Sequence, residues 1–413
     1  SLADFLFVTL NIPSASVATN KWLRCFKFGT ALFGSFSLQL FSGISNYGLL
    51  AIPLFMVVGE IMNNGGITTR LVGIARAFIG TMHGGLVYIN VLANMLMASI
   101  LGSATAQISI MSKVMVPEMT KQGYSKEFAV ATTAASGLLS PIIPPSMMFV
   151  VYGVLAQISI GDLFIAGIVP GLMMAGGFIA VIFTIGLLRP YPQAPELTRN
   201  IRFKMIKQGA ITLIIPVSII GSIIGGFATP TESAAIASVI AYIIGRFVTK
   251  EFDHKKIPQM LISAGTNSAM VLFMVATAAI FSWVLIYGQI PQSLAVWVQA
   301  IADNPIKFLL IVNVLMLLIG MIIDGIPALI MIVPILLPIA TGVYGIDPYH
   351  FGVVLCLNLT LGLVTPPVGV ALYVAAAVSD SKPGVIFRNA LPFVLISALV
   401  LVLISVFPSL TIH

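Results

Sequence analysis

The sequence predicts an all-α, polytopic membrane protein built from two inverted repeats, with two re-entrant helical hairpins and two transmembrane helices broken in the middle. Three observations predict it. First, 59% of the 413 residues are hydrophobic and 8% are charged, against about 25% charged in an ordinary soluble domain. Mean hydropathy is +1.08. That leaves too little polar surface to cover a soluble fold, so the bilayer is the solvent. Second, several apolar runs have the wrong length for a simple span and carry Gly, Pro or polar residues at their centres. Third, landmarks recur at a near-constant spacing along the chain.

The same composition excludes a cytosolic or secreted enzyme and a nucleic-acid-binding protein. The net charge of +7 is better explained by Lys- and Arg-rich cytoplasmic loops than by an acidic partner. Two cysteines, Cys25 and Cys356, cannot form a disulfide framework. No charged segment precedes an apolar run at the start, so no signal peptide is expected. The first residue, Ser1, suggests a processed, trimmed or fused N-terminus.

The elements follow in order. Runs 1–19 and 28–43 are the poorest: Asn11, Pro13 and Asn20 interrupt the first, and Lys21, Arg24 and Lys27 separate the two. A span over 46–64 and an amphipathic stretch over 66–80, with Arg70 and Arg76, come next. Run 84–117 is 34 residues long, about 51 Å as straight helix, whereas the hydrocarbon core is ~30 Å. Its centre reads Ser99-Ile100-Leu101-Gly102-Ser103-Ala104-Thr105. Run 305–341 is similar, with Asp324-Gly325-Ile326-Pro327 at its centre. Both are expected to be hairpins that enter and leave on one side. Runs 125–160 and 351–378 are interrupted by Ser140-Pro141-Ile142-Ile143-Pro144-Pro145-Ser146 and by Gly362-Leu363-Val364-Thr365-Pro366-Pro367-Val368-Gly369. These are expected to be broken crossings, because unpaired backbone at mid-membrane is tolerated only inside protein or beside water. Runs 162–188, 208–227, 230–249, 257–288 and 384–411 predict continuous spans.

Asn90 matches Asn313, Ser103 matches Asp324, Pro117 matches Pro338, Phe128 matches Phe351, Pro144-Pro145 matches Pro366-Pro367, and Pro170 matches Pro392, all 221 to 223 residues apart. Phe55-Met56 resembles Phe273-Met274 at a spacing of 218. So many landmarks in one register indicate a duplication. With hairpin 84–117 on the cytoplasmic side, 19 of the 20 basic residues fall inside and only Lys307 outside. Each half then has an odd number of crossings, so the repeats are inverted and the hairpin tips meet near the midplane. The C-terminus is expected to be periplasmic.

Four segments are expected. Residues 1–83 hold scaffold helices and a cytoplasmic arm. Residues 84–188 form the first half of a moving domain. Residues 208–303 hold further scaffold and a periplasmic arm, 290–303. Residues 305–413 form the second moving half.

Broken helices leave carbonyls without partners, which suits a hard cation such as Na⁺, and present N–H groups that suit a carboxylate. One Na⁺ site is expected among Ser99, Gly102, Ser103, Ser140 and Ile143. A second is expected among Asp324, Gly325, Gly362, Val364 and Thr365. The substrate would lie between them, near Thr105, Pro145, Ser146, Pro366 and Pro367. Asp324 is the one acidic residue at a hairpin tip, where an ionised carboxylate needs a partner; a Na⁺ ion or a proton would serve. Glu232 follows Pro230 and is expected to act as a helix N-terminal acid. Glu60 is expected to be structural or interfacial, and His83, His254 and His350 to be interfacial. The absence of GxxxxGK[ST] and HExxH excludes an ATP-driven pump and a metalloenzyme. Na⁺ is the only metal expected, and no organic cofactor.

Leu50-Ala51-Ile52-Pro53-Leu54-Phe55, Gly102-Ser103-Ala104-Thr105, Ser140 to Ser146, Ala228-Thr229-Pro230-Thr231-Glu232-Ser233 and Gly362 to Gly369 together resemble the large membrane (M) subunit of TRAP transporters, the tripartite ATP-independent periplasmic transporters. The resemblance runs from about residue 40 to the C-terminus; residues 1–40 depart from the family's first helices. It implies residence in a bacterial inner membrane and Na⁺-driven elevator transport. It also implies a small membrane (Q) subunit and a periplasmic binding protein that delivers an organic acid. The wording is most similar to the sialic-acid members, with a C4-dicarboxylate carrier as the alternative. Two rivals stand beside it: a Na⁺/H⁺ antiporter on the same inverted frame using Asp324, and, from another class, a non-transporting membrane scaffold or assembly subunit. A scaffold has no need of polar, Pro-broken centres.

Overall fold

The computed structural model describes residues 35–80, 82–188, 191–192 and 198–411, and only the backbone of 99–101. The expected run 1–19, the basic residues Lys21, Arg24, Lys27 and Arg189, and Cys25 lie outside the described residues.

The described chain is helical throughout its ordered elements and contains no strand. A helix over 35–44 (α1) leads through a short 3₁₀ turn into α2 (Ala51–Asn64), and Gly66, in the left-handed region at φ 68°, turns the chain into the arm α3 (Ile67–Ile79). The first hairpin is α4 (Gly85–Leu101) and α5 (Ala104–Lys121). The first broken helix is α6 (Lys126–Gly137) and α7 (Met147–Ala156), followed by α8 (Ile160–Leu188). Then come α9 (Arg199–Ile224), α10 (Pro230–Ile243) and α11 (Ile257–Tyr287). The second arm is α12 (Ile290–Ile301), bent by 112° against α13 (Pro305–Gly320). With α14 (Gly325–Gly342), α13 makes the second hairpin. The second broken helix is α15 (Pro348–Gly362) and α16 (Val370–Ser379), and α17 (Pro383–Val406) closes the fold.

From α3 to α8 and from α12 to α17, matching helices begin 220 to 223 residues apart. The expected duplication is thus present in the fold. Local chemistry repeats with it. Ser125 caps α6 through the Phe128 amide, and Asp347 caps α15 through the Tyr349 and His350 amides. Both polar caps satisfy amides that would otherwise lack partners at a helix start. Thr229 and Glu232 close a reciprocal capping box on α10, the role expected of Glu232.

The hairpin turns are equally local. Gly102 sits at φ 59°, a conformation that costs glycine little, and Ser103 is extended before α5 begins. Pro141, Pro144 and Pro145 interrupt the first broken helix, and Pro366, Pro367 and Gly369 the second. Prolines supply no N–H to continue a helix.

Among the described residues, seven helical stretches are long and apolar enough to cross a bilayer. One of them is α14, which the break at 321–324 turns back against α13 as a hairpin arm. Packing across the repeats is reciprocal. α5 packs on α16 and α14 on α7, while α17 packs on α6 and α8 on α15. The two halves therefore interlock into one body. Around it, α2 packs on α10 and α11, and α9 packs on α3 and α10. Arg70 on α3 pairs with Glu251 at 3.0 Å, and Arg76 pairs with Glu118 of the first hairpin at 3.5 Å.

His350 departs from expectation. It is buried, and its Nδ1 hydrogen-bonds Thr411 Oγ1 at 2.7 Å. The chain after α17 folds back over the start of α15, so this end of the helix is covered by protein.

Candidate functional site

Two hairpin tips converge on one cavity of about 460 Å³. Ser103 and Thr105 reach it from the first tip, Asp324 and Pro327 from the second. Opposite them stand α2 and α11. Met56 and Met274, a pair of repeat landmarks, both face the cavity, together with Glu60, Asn63 and Asn267.

Ser103 and Asp324 occupy equivalent positions, each the N-cap of the second hairpin arm, and neither side chain makes a capping hydrogen bond. Ser103 Oγ lies instead 3.2 Å from Thr105 Oγ1. Thr105 and Ala106 line the cavity, so the first turn of α5 is turned towards it. A helix start carries unpaired N–H groups and the positive end of the helix dipole, which favour an anion.

Each tip is seated on the second half of its own repeat's broken helix. A Cβ built on Gly102 would lie 2.9 Å from the Met147 amide nitrogen at the start of α7. In the second repeat the Gly369 amide donates to the Met321 carbonyl at 2.8 Å. There the backbones also meet directly: a Cβ on Gly362 would fall 2.5 Å from the Gly320 carbonyl carbon. Gly325 in turn approaches Met148 of α7, so the second tip touches the first repeat.

The family model for the tripartite ATP-independent periplasmic transporter, DctM component, matches residues 5–410. The chain belongs to this family. The sialic acid TRAP transporter large permease protein SiaM of Vibrio cholerae is 38% identical over 90% of this chain and 87% of its own length. The C4-dicarboxylate large permease DctM of Pseudomonas aeruginosa is 35% identical over 91% of this chain and 88% of its own. Among solved structures, the YdaH transporter of Alcanivorax borkumensis superposes with a TM-score of 0.69, covering 92% of this chain and 88% of that one. At 16% identity that likeness shows the fold alone. This chain is a multi-span TRAP large permease.

The structure distributes the sequence-predicted site residues of this permease unevenly. Ser103, Thr105 and Asp324 share the cavity. Ser140 is fully buried in the first break, and its Oγ has no hydrogen-bond partner among the described residues. An orphaned buried oxygen fits a cation-binding role, since such groups are normally paired. Ile143 lies against Gly171 of α8. Val364 is buried, and Thr365 Oγ1 donates to the Leu361 carbonyl at 2.8 Å. The side chain of Ser99 lies outside the described residues.

Four residues expected near the substrate do not line the cavity. Pro145 and Ser146 are buried, and Ser146 Oγ is engaged with the Pro141 carbonyl and the Phe149 amide, capping α7. Pro366 is half-buried and Pro367 exposed. A residue that breaks a helix shapes the site without having to face it. Glu60 ties α2 to α11 by accepting from Ser263 Oγ at 2.7 Å, in keeping with the structural role expected of it, and it also faces this cavity. Together with Asn63 and Asn267 it forms the polar wall that the sequence reading missed. Their only signal was being polar in otherwise apolar spans.

Proposed function

We propose that this permease imports an organic acid, coupled to Na⁺, by elevator-type alternating access. The observation behind this reading is the meeting of the two hairpin tips, with Ser103 and Asp324, in one cavity against α2 and α11. Substrate would sit in the cavity with its carboxylate at the start of α5. One Na⁺ would be held among Ser99, Gly102, Ser103, Ser140 and Ile143, and a second among Asp324, Gly325, Gly362, Val364 and Thr365. The interlocked body from both repeats would carry substrate and ions past α2, α9, α10, α11 and the arms. The likeness to a sialic acid permease favours sialic acid as the substrate. The small membrane subunit and a periplasmic binding protein complete the system.

Uptake into proteoliposomes containing the chain and its small subunit should require both an inward Na⁺ gradient and the substrate-loaded binding protein. Robust uptake of free substrate, or uptake indifferent to Na⁺, would contradict the proposal. Uptake driven by a pH gradient instead would favour the antiporter.

The orientation proposed here follows the distribution of basic residues. Single cysteines at 199–207 and 250–256 should react only with membrane-permeant reagents in intact cells. Cysteines at 343–347 should react with impermeant ones. Labelling of 199–207 from outside would invert the topology.

A further inference from the structure

The cavity wall opposite the hairpin tips contains an acid for which the transport reading has no use. Glu60 lies on α2, four residues before its end, and faces the same cavity as Ser103, Thr105 and Asp324. Its carboxylate is held in place. Ser263 Oγ donates to Oε1 at 2.7 Å, and Asn64 Nδ2 to Oε2 at 3.4 Å. An ionised carboxylate has about four acceptor positions. Two are engaged, which leaves capacity for further donors. Asn63 and Asn267 stand beside it with amides that both donate and accept. Among the described residues, no Lys, Arg or His lines the cavity.

This wall differs in character from the tips. The first turn of α5 favours an anion, whereas the Glu60 side favours hydroxyl or amide N–H donors and repels negative charge. With Asp324 committed to a cation, Glu60 has no compensating cation among the described residues of the cavity. A ligand with carboxylates at both ends would place its second charge against Glu60. A ligand with one carboxylate and a hydroxyl-rich body would place donors there. Discrimination by a like charge is an established route to specificity.

We propose that Glu60 is a specificity-determining residue that selects monocarboxylates with a polyhydroxylated body and rejects dicarboxylates. Asn63 and Asn267 complete the hydroxyl-reading wall. The inference rests on the cavity being the substrate site, as proposed above.

The test uses the chain purified with its small subunit in Na⁺. Free N-acetylneuraminate and free succinate are titrated separately, with thermal stabilisation as the readout. Uptake of N-acetylneuraminate presented by its binding protein is measured in parallel. The wild type should be stabilised by N-acetylneuraminate and not by succinate. Glu60→Gln should raise the half-saturating N-acetylneuraminate concentration about tenfold, which corresponds to ~1.4 kcal/mol, and should let succinate stabilise the protein. Glu60→Asp keeps the charge but shortens the reach. It should weaken N-acetylneuraminate while still excluding succinate, and it serves as the test if Glu60→Gln does not assemble. Equal stabilisation of the wild type by both ligands, or unchanged N-acetylneuraminate binding in the variants, would overturn the role of Glu60. A wild type that shows neither Na⁺-dependent binding nor uptake of either acid would instead sink the transport reading itself.

Discussion

Asp324→Asn should lower Na⁺-driven uptake steeply, raising the Na⁺ concentration for half-maximal rate by about tenfold or more, while expression and assembly stay normal. Asp324 matches Ser103 in the repeat but carries a charge where its counterpart has a hydroxyl. At ~4 Å and an effective dielectric of about 20, attraction between Na⁺ and a carboxylate is on the order of 4 kcal/mol. Desolvation of the carboxylate offsets much of it. The Asn side chain retains the shape and one oxygen but loses the charge, so the remainder is what the measurement reads. The side chain does not cap α14, so expression and assembly are expected to survive the loss of its charge. Ser103→Ala, which removes a proposed neutral ligand, should produce the same kind of shift with smaller amplitude. Wild-type uptake by Asp324→Asn at low Na⁺ would remove Asp324 from the ion site.

A second large effect is steric. Gly362→Val should destabilise the permease by about 3 kcal/mol or more and abolish uptake. A Cβ at Gly362 would meet three backbone atoms of Gly320 at 2.5, 2.7 and 2.9 Å. Those atoms belong to the end of α13 and cannot rotate away as a side chain could. The second hairpin would have to lift off the second broken helix, disrupting the Met321–Gly369 hydrogen bond with it. Gly342→Val is the matched control. Gly342 ends α14 with nothing within 4 Å of a built Cβ, so only the weak helix propensity difference of below about 1 kcal/mol applies. Melting midpoint and monodispersity of the purified complex decide it. A Gly362→Val protein that melts with the wild type would show that this close approach is not required.

Much of the fold was legible in the sequence because the signals are covalent and local. The turn at Gly102-Ser103 and the breaks at Pro144-Pro145 and Pro366-Pro367 follow from missing N–H groups and left-handed glycine, whatever surrounds them. The same holds for Glu232, whose capping box needs only four consecutive residues. Ser103 and Asp324 were readable as a pair because an inverted duplication brings equivalent tips together.

The rest of the site was not legible, for one physical reason. In a bilayer a helix is apolar on its lipid face and on its packed face, so hydrophobic periodicity does not tell which side faces protein. Nothing in the sequence around Glu60, Asn63 or Asn267 indicates that they face one cavity. Ser146 carries a hydroxyl at a break, as Ser103 does, yet it is consumed in capping α7. Pro145 is buried while its counterpart Pro367 is exposed, so equivalence in the repeat does not extend to surroundings.

By itself the sequence determined the solvent, the helical class, the duplication, and the places where helices must stop and turn. These depend on transfer energies and backbone chemistry that each residue brings with it. The tertiary structure alone decided which polar groups share a cavity, that α2 and α11 supply its opposite wall, and that Gly362 must be glycine because another backbone lies against it. Those depend on which faces of uniformly apolar helices come into contact, and close packing of backbone and small residues, rather than hydropathy, selects them.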